Sequence, residues 1–184
     1  MSIADAAPTA VVAGLGRPDR GDDGVGAEVV RLLSTQDLPG VSVQVLEDPT
    51  ALIDTWAAVP VAVVVDAVVS GRPPGTVITR DVGARAEPLS SRAWGADASR
   101  GSSHALGVAT AVELSRALGR LPDRVVLVGV EAGSVDFGFG LTAPVAAAVP
   151  GAAAAVLAAL GLSHRPERSE PVDPAAPAGR VEAG

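Results

Sequence analysis

The stretch TAVVAGLGRPDRGDDGVGAEVVRLLST, residues 9–35, predicts a strand, a glycine-rich turn and a helix in direct succession. It begins with an apolar run of strand length and ends with valines and leucines at helical spacing. Between these two parts, residues 14–26 hold five glycines and three aspartates, a composition suited to sharp bends. Strands that alternate with helices in this way are the repeating unit of α/β domains.

Further apolar runs rich in valine predict the other strands, and helical patterns lie between them. The runs show little alternation of apolar and polar residues, which is typical of strands covered on both faces. We therefore expect an α/β fold, a three-layer sandwich in which a twisted, mainly parallel sheet of about five strands has helices on both faces. The runs are VSVQVLE (41–47), VAVVVDAV (61–68), RVVLVGV (124–130) and a weaker edge strand, GTVITRDV (75–82); helical patterns include PTALIDTWAAV (49–59) and HALGVATAVELSRALG (104–119).

Composition excludes several classes of partner and chemistry. The fourteen basic residues are all arginine and the net charge is −7, which argues against nucleic acid or an anionic membrane as a partner. The absence of cysteine excludes disulfides, thiolate metal sites, iron–sulfur clusters and cysteine nucleophiles. The first residues, MSIADAAPTA, include an acid and no basic residue, unlike a signal peptide, so we expect a cytoplasmic protein.

The chain is expected to form one α/β domain over residues 1–162 and a disordered tail over residues 163–184, where proline and charge dominate. Residues 83–103 lack periodicity and are predicted to form a long loop. The alanine-rich last segment contains Pro150 and Gly151, so it makes a poor membrane span. We expect it to be a helix with a break or a late start at that point.

The glycine-rich turn has three interpretations. Gly14 and Gly16 begin a dinucleotide-binding fingerprint, but Asp19 stands where its third glycine belongs, and Asp22 and Asp23 would repel a pyrophosphate. A Walker loop is excluded because the chain has no lysine. A purely structural turn remains open, in which Asp22 caps the helix and Asp23 favours its first turn. The third interpretation is a metal site.

A metal site needs further ligands, and the chain offers them. Asp66 ends the apolar run VAVVVD, and His104 lies at the start of a predicted helix, where the helix dipole favours a neutral imidazole. Together with Asp23, these residues all fall after a strand or at a helix start, which in a parallel sheet means one edge. Two carboxylates and one imidazole suit a divalent first-row metal such as nickel, copper or zinc.

Four segments, taken together and in order, resemble a known family over about residues 9–160. That family comprises the endopeptidases that mature the large subunit of NiFe hydrogenases by removing its C-terminal extension. Its fold is a twisted, mainly parallel sheet between helices. The segments are GLGRPDRGDDGVG (14–26), VVVDAVVSG (63–71), GSSHALGV (101–108) and VGVEAGSVDFGFGLTAPVAAAVP (128–150).

The resemblance implies a metal-dependent peptidase of aspartic type whose partner is the hydrogenase large-subunit precursor. We expect the protein to be a cytoplasmic monomer. Asp23, Asp66 and His104 would bind nickel that the precursor supplies, and zinc or cadmium is expected to substitute for it in crystals. No separate nucleophile is implied, so catalytic residues beyond the metal ligands stay unassigned. The segment DFG (136–138) is expected to line the cleft or to turn the chain into its last helix.

Within the loop, Asp22 would contact the ligands rather than the metal, or cap the helix. The glycines carried over by the resemblance are Gly14, Gly16 and Gly24. The family loop usually has asparagine and an aliphatic residue where this chain has Arg17 and Asp19. This departure keeps open a non-catalytic alternative, a nickel-checking or precursor-binding chaperone of the same fold, beside a nucleotide-binding domain that would rest on the first two glycines alone.

Overall fold

The computed structural model describes residues 7–86, residue 89 and residues 103–162, without the side chains of residues 103–106. The predicted tail and most of the predicted long loop lie outside the described residues. Short 3-10 turns at Gly21–Gly24 and Pro49–Ala51 lead into the first two helices. The strands are β1 (Ala10–Leu15), β2 (Val41–Leu46), β3 (Val61–Val68), β4 (Val77–Asp81) and β5 (Arg124–Glu131), and the helices are α1 (Val25–Leu33), α2 (Leu52–Thr55), α3 (Ser103–Ala117) and α4 (Ala143–Ala159).

The described strands form one five-stranded sheet in the order β2-β1-β3-β5-β4. Every neighbouring pair is parallel except β4 and β5, which are antiparallel. This confirms the predicted mainly parallel sheet. β4 lies at an edge and is half-buried or exposed along its length, as its weaker apolar pattern predicted. The central β3 and β5 are almost entirely buried.

Helices cover both faces of the sheet, which confirms the three-layer prediction. Successive side chains of a strand point to opposite faces, so β1 contributes Val11 and Leu15 to one apolar cluster and Val12 to the other. The first cluster also contains residues of α2 and α3, such as Val112. The second contains residues of α1 and α4, such as Val156. The sheet is therefore shielded from water on both sides.

The last helix departs from its prediction. α4 runs without a break from Ala143 to Ala159, with Pro150 inside it. Val145 and Val156 are buried on either side of that proline, whereas Pro150 and Gly151 are exposed. Packing therefore holds both halves on the sheet, and the proline interrupts the hydrogen-bond ladder on the solvent side. Within residues 7–86 and 103–162, no helix has the combination of length and apolar character needed to cross a bilayer.

Candidate metal centre

The glycines of the turn let α1 approach the sheet very closely. A Cβ atom added to Gly14 of β1 would lie 2.2 Å from the carbonyl oxygen of Gly26 in α1. A Cβ atom added to Gly26 would lie 2.8 Å from the carbonyl oxygen of Val65 in β3. Real Cβ atoms do not approach other atoms so closely, so both positions require glycine. The start of α1 is thereby pressed onto the ends of β1 and β3.

Asp23 lies in the turn that this close approach positions. Gly16 has a φ of 118°, and a Cβ atom there would lie 1.8 Å from the carbonyl oxygen of Asp23. The main-chain N–H of Arg17 donates a hydrogen bond to Asp23 Oδ2 at 2.8 Å. Gly24 is buried, and a Cβ atom there would lie 3.1 Å from the Cα of Pro18. The loop therefore folds back on itself and holds the half-buried Asp23 carboxylate by one oxygen.

Asp66 lies on β3 close to the same turn. Its side chain is fully buried, and its strand partner on β5 is Gly129. The last pairing of β1 with β3 joins Gly14 to Val65, so Asp66 lies one residue beyond it. β3 also contacts the turn that carries Asp23. The two predicted acids thus come from neighbouring elements at the carboxyl edge of the parallel sheet.

Asp66 lies two residues before the end of its strand. It ends the apolar run VAVVVD, and β3 continues to Val68, as the longer predicted run 61–68 indicates. The continuation is stabilised by β5, which reaches further than β1 and pairs with Ala67 and Val68. Asp66 therefore projects from regular strand backbone, whose pairing with β5 fixes its direction better than a loop would.

The third predicted ligand, His104, lies in the first turn of α3, and its side chain is outside the described part of the structure. The main chain of this turn is nevertheless placed. A Cβ atom on Gly107, one turn further on, would lie 2.9 Å from Cγ of Pro49, in the 3-10 turn that follows β2. The start of α3 therefore lies at the carboxyl edge, as do Asp23 and Asp66.

Among the residues whose side chains are described, no three histidine, cysteine, aspartate or glutamate side chains form a group that could hold a metal ion. Because that set excludes His104, the three-ligand site of Asp23, Asp66 and His104 stays a prediction. The described structure brings the two acids and the start of α3 to one edge. Carboxylate oxygens together with an imidazole nitrogen suit a divalent nickel or zinc ion.

Asp22 has a role that its neighbours in sequence do not indicate. Its side chain is fully buried, and its Oδ2 accepts the N–H groups of Gly133 and Ser134 at 2.7 and 2.9 Å. Thr142 donates its N–H to Oδ1 at 2.6 Å and its hydroxyl to Oδ2 at 2.9 Å. The interpretation of Asp22 as a cap of the helix that follows it is wrong, since neither the Gly21–Gly24 turn nor α1 has a side-chain cap.

The sequence around Thr142 carries a signal for its contact with Asp22. Thr142 is the N-cap of α4, and a capping box would place glutamate or glutamine three residues later. The chain has Val145 there instead. The N–H of Thr142 therefore needs an acceptor from elsewhere, and Asp22 supplies it.

Another buried carboxylate, Glu131, was missed in the sequence. It is 2% exposed, and its Oε1 accepts the successive N–H groups of Ser70, Gly71 and Arg72 at 2.7, 2.7 and 3.2 Å. The Ser70 hydroxyl donates to its Oε2 at 2.5 Å. A row of main-chain N–H groups makes a concave anion-binding nest. Glu131 thus fixes the loop that follows β3, two residues beyond the end of the strand that carries Asp66.

The two unusual loop residues pair with each other. The guanidinium of Arg17 binds the Asp19 carboxylate through Nε–Oδ1 at 3.2 Å and Nη2–Oδ2 at 2.9 Å. This hydrogen bond and the charge of Asp19 raise the pKa of Arg17 above its ordinary value. Both side chains are substantially exposed. Arg17 and Asp19 therefore form an ion pair without net charge at the surface of the loop.

Comparisons with known proteins agree with this architecture. Residues 28–159 match the family HycI, hydrogenase maturation protease. That match includes Asp66 and His104 and begins after Asp23. A comparison with curated proteins found no match.

Solved structures extend the likeness over most of the chain. The hydrogenase maturating endopeptidase HybD from E. coli is 26% identical with a TM-score of 0.69, over 83% of this chain and 91% of HybD. A hydrogenase 2 maturation peptidase from Thaumarchaeota archaeon SCGC_AB-539-E09 is 30% identical with a TM-score of 0.62, over 83% of this chain and 98% of the peptidase. An endopeptidase from Escherichia coli is 28% identical with a TM-score of 0.70, over 82% and 91%. The chain therefore belongs to the hydrogenase maturation protease family.

Proposed function

We propose that this protein is an endopeptidase that removes the C-terminal extension of a NiFe-hydrogenase large-subunit precursor after nickel has been inserted. The observation that carries the proposal is the shared position of Asp23 and Asp66 beside the start of α3, in a chain of the hydrogenase maturation protease family. Nickel arrives as part of the substrate. Recognition of the bound ion would restrict cleavage to precursors that are already loaded.

In this proposal the residues at the carboxyl edge of the sheet bind and orient the metal ion. Asp23, Asp66 and His104 would hold the nickel of the precursor, and the bound ion would supply Lewis-acid polarisation of the scissile carbonyl. Asp66 is oriented by regular strand backbone, whereas Asp23 is held by the N–H of Arg17. Hydrolysis would add one water molecule across the scissile C–N bond, its hydroxyl to the carbonyl carbon and its proton to the leaving nitrogen, so no nucleophilic side chain would be required. A site on such fixed backbone is preorganised, which lowers the cost of binding the ion in the productive geometry.

The test is incubation of the purified protein with nickel-loaded large-subunit precursor, followed by intact mass measurement. We expect the precursor to become shorter at its C-terminus, and we expect the nickel-free precursor to keep its mass. The variant His104→Ala should leave the mass of the nickel-loaded precursor unchanged. Unchanged mass with several nickel-loaded precursors, despite formation of a complex with the wild-type protein, would favour the non-catalytic chaperone instead.

The chaperone alternative is motivated by Arg17 and Asp19, the two residues that depart from the usual family loop. Their ion pair lies on the exposed side of the loop, and the N–H of Arg17 still binds Asp23. The geometry therefore gives no reason for the acid site to be inactive. This favours the peptidase over the chaperone.

A further inference from the structure

The two phenylalanines of this chain lie on one loop and face solvent. Phe137 is 79% exposed and Phe139 is 87% exposed, in a sequence that has no other phenylalanine and no tyrosine. A single exposed apolar side chain needs no explanation, but a contiguous apolar patch usually marks a binding surface. Phe139 belongs to such a patch. It lines a groove of about 580 Å³ between α1 and α4, together with Leu32, Leu141, Val149, Pro18 and Pro150.

The loop that carries these aromatic rings is held firmly against the acid loop. Gly138 donates its N–H to the carbonyl of Asp19 at 3.0 Å and accepts the N–H of Gly21 at 2.8 Å. The guanidinium of Arg20 lies 4.7 Å from the centre of the Phe137 ring and donates to the carbonyl of Val135 at 3.3 Å. Aromatic side chains presented on a fixed backbone lose little conformational entropy when a partner binds.

The charge of the groove favours an uncharged occupant. Among the described residues that line it, the charged ones are Glu28 and Arg31, which form an ion pair with each other at 2.8 Å. The other described lining residues are apolar or glycine. A neutral apolar lining with paired charges at its rim matches an apolar polypeptide segment better than an acidic or basic one.

The position of the groove indicates which polypeptide it takes. Gly21 and Gly24 line it, and these residues bracket Asp22 and Asp23 in the chain. An occupant of the groove would therefore adjoin the proposed nickel site. We propose that the groove and the Phe137–Phe139 surface bind an apolar segment of the large-subunit precursor next to its nickel-bearing site, an inference that rests on the proposed function.

The test compares steady-state processing of nickel-loaded precursor by the wild type, Phe139→Ser and Leu118→Ser. Leu118 is a matched control because it is also an exposed apolar residue, at 55%. It lies at the opposite end of the strands from the acid loop. The nearby Arg116 binds the carbonyls of Val82 and Ala84, just after the antiparallel strand β4. We expect Phe139→Ser to raise KM about tenfold or more, the effect of losing an aromatic anchor, with kcat little changed. Leu118→Ser should behave as the wild type.

An unchanged KM for Phe139→Ser would overturn the docking surface while leaving the proposed function intact. Failure of the wild type to process any precursor would instead overturn the proposed function, and the docking proposal with it. Sedimentation velocity tests the other possible occupant of this surface, a second copy of this chain. A wild-type dimer that Phe139→Ser converts to a monomer without raising KM would contradict binding of the precursor at this surface.

Discussion

Asp22 and Thr142 are joined by two hydrogen bonds, one from the main-chain N–H of Thr142 at 2.6 Å and one from its hydroxyl at 2.9 Å. Asp22 directly precedes the predicted metal ligand Asp23, and Thr142 is the N-cap of α4. A single buried carboxylate therefore ties the acid loop to the start of the last helix. This contact helps to position Asp23, although Asp22 and Thr142 lie 120 residues apart in the chain.

The variant Asp22→Asn tests the strength of this tie. Asparagine keeps the shape of the side chain but replaces one acceptor oxygen with a donor, so at least one N–H of Gly133, Ser134 or Thr142 loses its part-buried acceptor. We expect the free energy of unfolding to fall by about 3 kcal/mol, the upper end for losing a hydrogen bond to a charged group. Urea denaturation followed by circular dichroism measures the change.

Asp136→Asn provides the matched control for that variant. Asp136 is an exposed residue of the loop that follows β5, which also contains Gly133 and Ser134. It accepts a hydrogen bond from the Ser134 hydroxyl at 2.9 Å. Because water can replace this contact, we expect a change within about 0.5 kcal/mol. Equal destabilisation by the two variants would show that Asp22 does not bear the described role.

Asp23→Asn should separate activity from stability. Asp23 is half-buried, and the N–H of Arg17 can still bind the remaining side-chain oxygen, so the melting temperature should stay close to that of the wild type. Loss of one metal-binding carboxylate should lower the processing rate by more than about 100-fold, the upper range for residues that only support a ligand. The rate is measured by mass spectrometry of the nickel-loaded precursor.

Asp54→Asn controls for a change of charge alone. Asp54 is exposed on α2 and pairs with Arg120, away from the acid loop. Its variant should process the precursor at the wild-type rate. A wild-type rate for Asp23→Asn as well would exclude Asp23 from the metal site.

The sequence predicted the layers of this fold because the signal is local. VAVVVDAV is apolar on both faces, which is how a central parallel strand must be built, and it forms β3 over the expected residues. The weaker run at residues 75–82 lacks that character and forms the edge strand β4. The order of the strands could not be predicted, since it depends on which runs pair across long stretches of chain.

The candidate site was predicted only where a residue acts through its own strand or turn. Asp66 and Asp23 could be placed at one edge because each lies near the end of a predicted element. The roles of Asp22 and Glu131 could not be found in this way. Asp22 binds N–H groups from a loop more than a hundred residues away, and Glu131 binds those of a loop that follows a neighbouring strand. Contacts of this kind leave no periodicity in the sequence.

Gly14→Ala should be severely destabilising. The added methyl group would lie 2.2 Å from the carbonyl oxygen of Gly26, and main chain cannot yield as a flexible side chain does. We expect a loss of at least about 3 kcal/mol in the free energy of unfolding, beyond the usual cost of overpacking. Gly151→Ala is the contrasting variant, because Gly151 is exposed in α4 and no atom of the described residues lies within 4 Å of the added methyl group.

Alanine at position 151 should stabilise the protein by about 0.5–1 kcal/mol through its higher helix propensity. Both variants are compared by urea denaturation, or by soluble yield where Gly14→Ala does not fold. A Gly14→Ala protein of wild-type stability would contradict the close approach of α1 to the sheet.

Pro150→Ala should stabilise the protein, since α4 continues through this residue. Alanine restores the N–H that a helix interior requires, worth about 3 kcal/mol in propensity, while about 1 kcal/mol is lost because the unfolded chain gains freedom, so a gain of about 2 kcal/mol is expected. Pro144→Ala is the matched control within the same helix. Pro144 lies in the first turn, where an N–H has no partner in the helix, so its replacement should leave stability unchanged or lower it by up to about 1 kcal/mol. Thermal and urea unfolding measure both variants. Destabilisation by Pro150→Ala would indicate that the helix is interrupted at this residue, as the sequence had predicted.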